Sequence, residues 1–251
     1  MDFENRIPDI DRLQQEINAY RPLSDRVLAQ LKAYYRIGLS YTSNALEGNS
    51  LTESETKLVI EEGLTVGGKP LKDHFEALGH SQAYDLLLSL AHGSAISEDA
   101  ACELHRLFYY RIDAAQAGVY RTVPVILTGS DVKLPAPSQV STRMRAWAEA
   151  LSAQKTQWHP VEFAARLHAD FVSIHPFIDG NGRTARLLMN LALLQAGLVI
   201  AIIPPVVRNG YLHALRAYDR GDIVPFVNFV SQMVLESQKD YLRLLKQLHE
   251  F

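Results

Sequence analysis

A single cysteine, Cys102, in 251 residues excludes an internal disulfide and fits a reducing compartment. Strong charge of either sign is also missing. A formal net charge of −3 gives no basic field of the kind that draws a protein to nucleic acid. The first residues, MDFENRIPDID, are polar and acidic and lack the apolar core of a secretory leader, so the expected location is cytoplasmic. No long apolar run is uninterrupted. The most apolar stretch, Leu187 to Val207, is broken by Asn190, Gln195, Gly197, Pro204 and Pro205, and reads as a buried helix leading into a proline-ended loop. No membrane association is expected. There is no glycine- or serine-rich linker, internal repeat or low-complexity tract to divide the chain.

What is present is mostly helical punctuation. A short helix is expected over Asp11 to Tyr20, ended by Pro22, and a longer one from Ser24 to about Glu47, stopped by Gly48 and Asn49. Thr52 and Glu55 have capping-box spacing, Ser97 caps a later helix, and Pro160 suits a first helical position. Arg208 to Asp219 and a stretch from about Pro225 to the C-terminus complete the helical set. The exception is TVPVILTGS, Thr122 to Ser130, β-branched and followed by turn residues and VKLPAP, which predicts a small β-hairpin. The expected fold is all-α with that one hairpin. Its N-terminal helices (1–95) should pack on a core (96–251) as a single compact unit.

The chemistry concentrates in His175 to Arg186, HPFIDGNGRTAR. Gly180 and Gly182 bracket Asn181, so the backbone can turn its N–H groups to one side just where a helix begins. Such a nest at a helix N-terminus binds anions. Arg183 and Arg186 stand three apart on the first turn, where cations oppose the helix dipole unless an anion answers them. A polyphosphate is the natural answer, gripped by planar guanidinium groups. Asp179 can hold the Mg²⁺ that such phosphates carry, and His175 can take a proton near neutral pH.

This stretch resembles throughout the signature of Fic-domain proteins, His-x-Phe-x-(Asp/Glu)-Gly-Asn-Gly-Arg-x-x-Arg, and the likeness extends over roughly Tyr41 to Met233. The resemblance implies transfer of AMP from ATP to a Ser, Thr or Tyr hydroxyl of a protein, with this chain itself among the conceivable targets. His175 would be the general base, and Asp179 would hold Mg²⁺ (or Mn²⁺). Gly180, Asn181 and Gly182 would cradle phosphates, and Arg183 and Arg186 would meet the β- and γ-phosphates. GVYR, Gly118 to Arg121, looks like the family segment leading into a target-binding flap, here including Leu127, Thr128, Lys133 and Leu134. Lys133-Leu134-Pro135 departs from the histidine and paired prolines of many relatives, which bears on target choice. Tyr211 resembles an adenine contact and Asp219 a weaker one, with apolar packing the competing reading for both.

A second motif, SNALEG from Ser43 to Gly48, resembles the family's inhibitory (Ser/Thr)-x-x-x-Glu-(Gly/Asn) pattern. Taken alone, Ser43 and Glu47 could be an exposed helix end. Beside a complete signature, the likeness implies that Glu47 pairs with Arg186 and removes the group meant for the γ-phosphate. In some relatives the same glutamate helps hydrolyse AMP off the target. Three alternatives stand beside this reading. One is transfer of another phosphorylated moiety, which the intact Gly-Asn-Gly-Arg segment disfavours. Another is an interaction module whose catalysis is silenced. The third is a His168–His175–Asp179 metal set, against which a hydrogen-bonded core histidine is the simpler reading. The amphipathic C-terminal run ESQKDYLRLLKQLHE can serve as a solvated face or as a homodimer surface.

Overall fold

Two adjacent helices form the centre of the molecule, α7 (Pro160–Ile174) and α8 (Asn181–Gln195). Phe163, Leu167 and Phe171 of the first, and Leu187, Leu188 and Leu191 of the second, are buried together. The structure is a computed structural model that describes residues 3–93, 95–127 and 132–249. Around the central pair lie α1 (Ile7–Asn18), α2 (Asp25–Ala45), α3 (Glu53–Glu61), α4 (Leu71–Leu90), α5 (Glu98–Tyr109) and α6 (Pro137–Gln157). They are joined by α9 (Arg208–Asp219), entered through a 3-10 turn, and α10 (Val224–His249). The first helix packs on the last, and one apolar cluster runs from Ile10 to Leu245. Burial on this scale, at about 25 cal/mol per Å², is the main force holding the helices together. Among the described residues no helix is long and apolar enough to cross a membrane.

The punctuation in the sequence translates into caps. The Ser24 hydroxyl accepts from the Val27 N–H at the start of α2, and Gly48 takes φ 95° just after its end. Thr52 and Glu55 form both bonds of a capping box on α3. Helix α1 begins at Ile7 rather than Asp11, because Pro8 occupies a first-turn position where its missing N–H costs nothing.

The predicted β-hairpin is not formed. Among the described residues there is no strand, and residues 122–127 and 132–136 run without a backbone ladder. Pro124 and Pro135 have no N–H to contribute. Arg121 supplies another link instead. Its guanidinium donates to the carbonyls of Val123 (3.3 Å) and Pro135 (2.7 Å), tying the two arms by a side chain. The turn expected at Gly129 to Asp131 lies outside the described residues, as does Thr128.

Candidate active site

The site is built where α7 stops and α8 starts. His175 ends α7 in the left-handed conformation (φ 51°, ψ 60°), the only non-glycine residue with positive φ among the described residues. Pro176 follows and disfavours further helix at His175. An L-residue in that conformation costs roughly 1–2 kcal/mol, which the surrounding contacts must offset. Three hydrogen bonds do so: the His175 N–H donates to the Phe171 carbonyl (3.1 Å), Arg121 Nε donates to the His175 carbonyl (2.8 Å), and the Arg121 N–H donates to the Pro176 carbonyl (2.8 Å). On the ring, Nδ1 faces the Val172 carbonyl at 3.3 Å and so carries the proton, leaving Nε2 with a free lone pair. Burial pushes the His175 pKa down, opposed chiefly by the bond to the Val172 carbonyl, with Arg121 adding to the lowering and Glu47 and Asp179 pulling the other way. Burial thus favours the neutral form of the ring.

The loop between the helices is closed by Asn181. Its amide makes a reciprocal pair with the backbone of Phe177, accepting from the N–H (2.8 Å) and donating to the carbonyl (2.9 Å). Gly180 precedes α8 at φ 78°, and a Cβ there would stand 2.5 Å from Phe108 Cζ. Glycine is required twice over, by conformation and by space. The first N–H groups of α8 are thus presented at a helix N-terminus. Asp179 lies beside them, its side chain 48% exposed. One carboxylate oxygen accepts from the Gly180 N–H (2.6 Å), and the other lies 3.7 Å from Arg183 and 3.9 Å from Lys72.

Both signature arginines are buried and paired. Arg183 NH1 meets Glu76 Oε1 of α4 at 2.7 Å, with Asn44 Oδ1 at 3.4 Å and the Phe108 ring 5.0 Å from its guanidinium carbon. Arg186 NH2 meets Glu47 Oε1 at 2.7 Å and the Ser43 carbonyl at 2.8 Å, while Nε donates to Ser43 Oγ at 3.0 Å. Burial alone would raise the Glu47 pKa, but Arg186 pulls it below the usual carboxylate range. Glu47 also crowds the nest, since a Cβ on Gly182 would come 2.4 Å from its Oε1. Ser43, Glu47, Arg186 and the nest are thus in one place.

Tyr211 is also here, but buried. Its hydroxyl lies 3.4 Å from Arg186 NH1 and 3.0 Å from His168 Nε2, and its ring packs on Phe226 and Phe229. Leu127 is half-buried and Lys133 exposed on the two arms tied by Arg121. Lys133 and Leu134 line a cavity of about 590 Å³ with Tyr218 and Asp219 of α9. His168 is fully buried and serves Tyr211. Among the described residues no cluster of three metal-binding side chains exists, so the imagined His168 metal set is not assembled.

Sequence reasoning missed Glu76 and His105. His105 Nε2 donates to the Asp179 carbonyl (3.0 Å), its Nδ1 accepts from the Gly118 N–H (2.8 Å), and its ring stacks on Phe177 at 3.8 Å. It thereby ties the GVYR segment to the signature loop. Burial lowers its pKa to about 4, keeping it neutral. Neither residue lies in a recognisable local pattern. Helix packing alone brings them to the site.

The comparisons with known proteins point to one family. A family model described as the Fic/DOC family matches residues 95–193. A Fic domain containing signaling protein from Bacteroides thetaiotaomicron superposes with a TM-score of 0.88 at 30% identity, over 95% of this chain and 98% of that one. The chain belongs to the Fic family. Fic-1 from C. elegans superposes with a TM-score of 0.86 at 30% identity, over 96% of this chain and 72% of that one. Protein adenylyltransferase Fic of Nematostella vectensis is 38% identical over 205 residues, 80% of this chain and 48% of that protein. Its namesake in Drosophila grimshawi is 35% identical over 242 residues, 95% of this chain and 49% of that protein. The chain therefore spans about half the length of the curated relatives it matches.

Proposed function

We propose that this chain is a protein adenylyltransferase that moves AMP from ATP to a protein hydroxyl and is held in check by its own Glu47. The observation that carries this reading is the convergence of a neutral His175, Asp179, the α8 N-terminus and two arginines at one loop. In the reaction, His175 Nε2 takes the proton of the target Ser, Thr or Tyr hydroxyl as its oxygen attacks the α-phosphorus. The bond from that phosphorus to the bridging oxygen breaks, and pyrophosphate leaves. Arg183 and Arg186 neutralise the charge that gathers on the leaving group, and the α8 N–H groups hold the phosphates in line. Asp179 suits Mg²⁺ or Mn²⁺, which is commonly held by one carboxylate plus substrate phosphates, and among the described residues its outer oxygen has no cation nearer than 3.7 Å. The metal, when bound, supplies further neutralisation of the phosphates.

Glu47 occupies Arg186 in the free chain, so ATP must either displace it or bind without that arginine. The target segment would lie against the arms around Leu127, Lys133 and Leu134. A second role for Glu47, in hydrolysing AMP from modified protein, follows the same placement beside the nest. The test is intact-mass measurement of self-modification with ATP and Mg²⁺. An AMP-sized gain is expected in Glu47→Gly, less in the unaltered chain and none in Glu47→Gly/His175→Ala. A phosphate-sized gain, or a gain that survives the His175 change, would overturn the reading. Loss of AMP from modified protein without ATP, slower in Glu47→Gly, would establish the hydrolytic role.

A further inference from the structure

Arg186 is held almost wholly by the element proposed to inhibit it. Its Nε and NH2 bonds go to Ser43 and Glu47, on α2 and the turn after it. Among the described residues, one side-chain hydrogen bond of the guanidinium goes elsewhere, from NH1 to the Tyr211 hydroxyl of α9 at 3.4 Å. Tyr211 is 4% exposed, with its ring centroid 5.9 Å from the guanidinium carbon. An arginine can only donate, so the hydroxyl accepts from it and keeps its own proton for His168 Nε2 at 3.0 Å. His168 must then carry its proton on Nδ1, which is buried with no hydrogen-bond partner. A buried orphan donor is costly, and a chain that keeps one has a use for the other end of the ring.

We infer that Tyr211 and His168 are positioning residues that keep the Arg186 guanidinium aimed at the terminal phosphate once Glu47 has withdrawn. The inference rests on the reading of the site as one for ATP. A neutral acceptor suits this task better than a carboxylate. It orients the hydroxyl oxygen toward Arg186 without neutralising the arginine's charge, which stays available to the phosphate. Burial and the neighbouring Arg186 push the His168 pKa down to about 3, so the ring remains an acceptor throughout the working range. The α9 helix is itself anchored to the inhibitory turn, since Arg208 Nε donates to the Leu46 carbonyl at 2.7 Å.

The test uses the Glu47→Gly chain and compares affinities for ATP and for AMP by calorimetry. Tyr211→Phe and His168→Leu should each weaken ATP binding about tenfold, the scale of one hydrogen bond to a charged group, and leave AMP binding unchanged. His168→Gln, which keeps an acceptor, should restore most of the ATP affinity. Equal losses for ATP and AMP would make the pair merely structural and overturn the inference, as would unchanged ATP binding in Tyr211→Phe with folding verified by melting. If Glu47→Gly binds ATP with this selectivity yet transfers no AMP, the adenylyltransferase reading fails and the positioning role stands.

Discussion

Replacing Glu47 with glycine tests the proposed control of the site, and its size can be worked from the contact. The Glu47–Arg186 pair is 2.7 Å long, with Arg186 3% exposed and Glu47 36% exposed at the side chain. A surface pair contributes about 0.2–1 kcal/mol, while removing one partner of a buried pair costs about 3–5 kcal/mol. This half-sheltered pair falls between, at about 2 kcal/mol, or roughly a 30-fold change in an equilibrium. If that energy holds Arg186 away from ATP, Glu47→Gly should transfer AMP about 30-fold faster at subsaturating ATP. The same change leaves a buried arginine unanswered, so in the absence of nucleotide the melting temperature should fall by about 4–8 °C. Saturating ATP should recover most of that loss, because phosphates replace the carboxylate. Glu47→Gln keeps the side-chain length without its charge and should lie between. Initial rates from mass spectrometry and melting curves with and without ATP check these expectations. A Glu47→Gly chain that is no faster, yet melts lower and binds ATP normally, would show that the pair is scaffold and refute the reasoning.

Glu76→Ala removes the other half of a deeper pair, with Arg183 2% and Glu76 6% exposed, and should cost about 3–5 kcal/mol in denaturant unfolding. Gly180→Ala meets both a positive φ of 78° and a 2.5 Å clash with Phe108, so it should lose about 2–5 kcal/mol and with it the ordered loop. Acid should destabilise the chain through its buried histidines. Burial lowers His80 and His168 to about 3 and His105 to about 4, so below an unfolded pKa of about 6.5 the unfolded state binds protons that the folded state refuses. Each contributes a slope of about 1.4 kcal/mol per pH unit between those limits, and a melting temperature flat from pH 7 to 5 would contradict it. In the Glu47→Gly chain, the acid limb of the transfer rate should lie below the ordinary histidine range, because His175 must lose its proton to act and burial already favours that form.

The sequence made the helices legible wherever caps and glycines lay close together, as at Ser24, Thr52, Ser97 and Pro160. It made the signature loop legible because its chemistry is local, twelve residues carrying base, carboxylate, nest and arginines. The hairpin misled for a physical reason. Thr122 to Leu127 has strand-like composition, but composition does not reveal that Arg121 will take the carbonyls a ladder would need. Glu76 and His105 were invisible because their roles come only from packing, α4 and α5 meeting α8. Tyr211 shows the same limit from the other side. The sequence left adenine contact and apolar packing open for it, and the fold brings its hydroxyl to Arg186 and buries its ring.

The two arginines of the loop are answered by two glutamates from the N-terminal helices and the turns that join them, and the pairs differ in how deeply they are enclosed. Glu76 is enclosed, with Oε1 on Arg183 and Lys72 and Oε2 accepting from Asn49 at 2.9 Å. Withdrawing it would strip several buried groups at once, so this pair is the costlier of the two to open. Glu47 follows the last turn of α2, and among the described residues its side chain makes one short bond, to Arg186, with more than a third of it in water. It can swing away without leaving a buried carboxylate behind. A phosphate that replaces it brings more charge and more acceptor oxygens to the same guanidinium. Ser43 holds Arg186 through two further bonds from the helix itself, so the guanidinium keeps partners on α2 when Glu47 leaves it. If Glu47 controls the site as proposed, a bias of a few kcal/mol on its pairing would suffice to set how often the site is open.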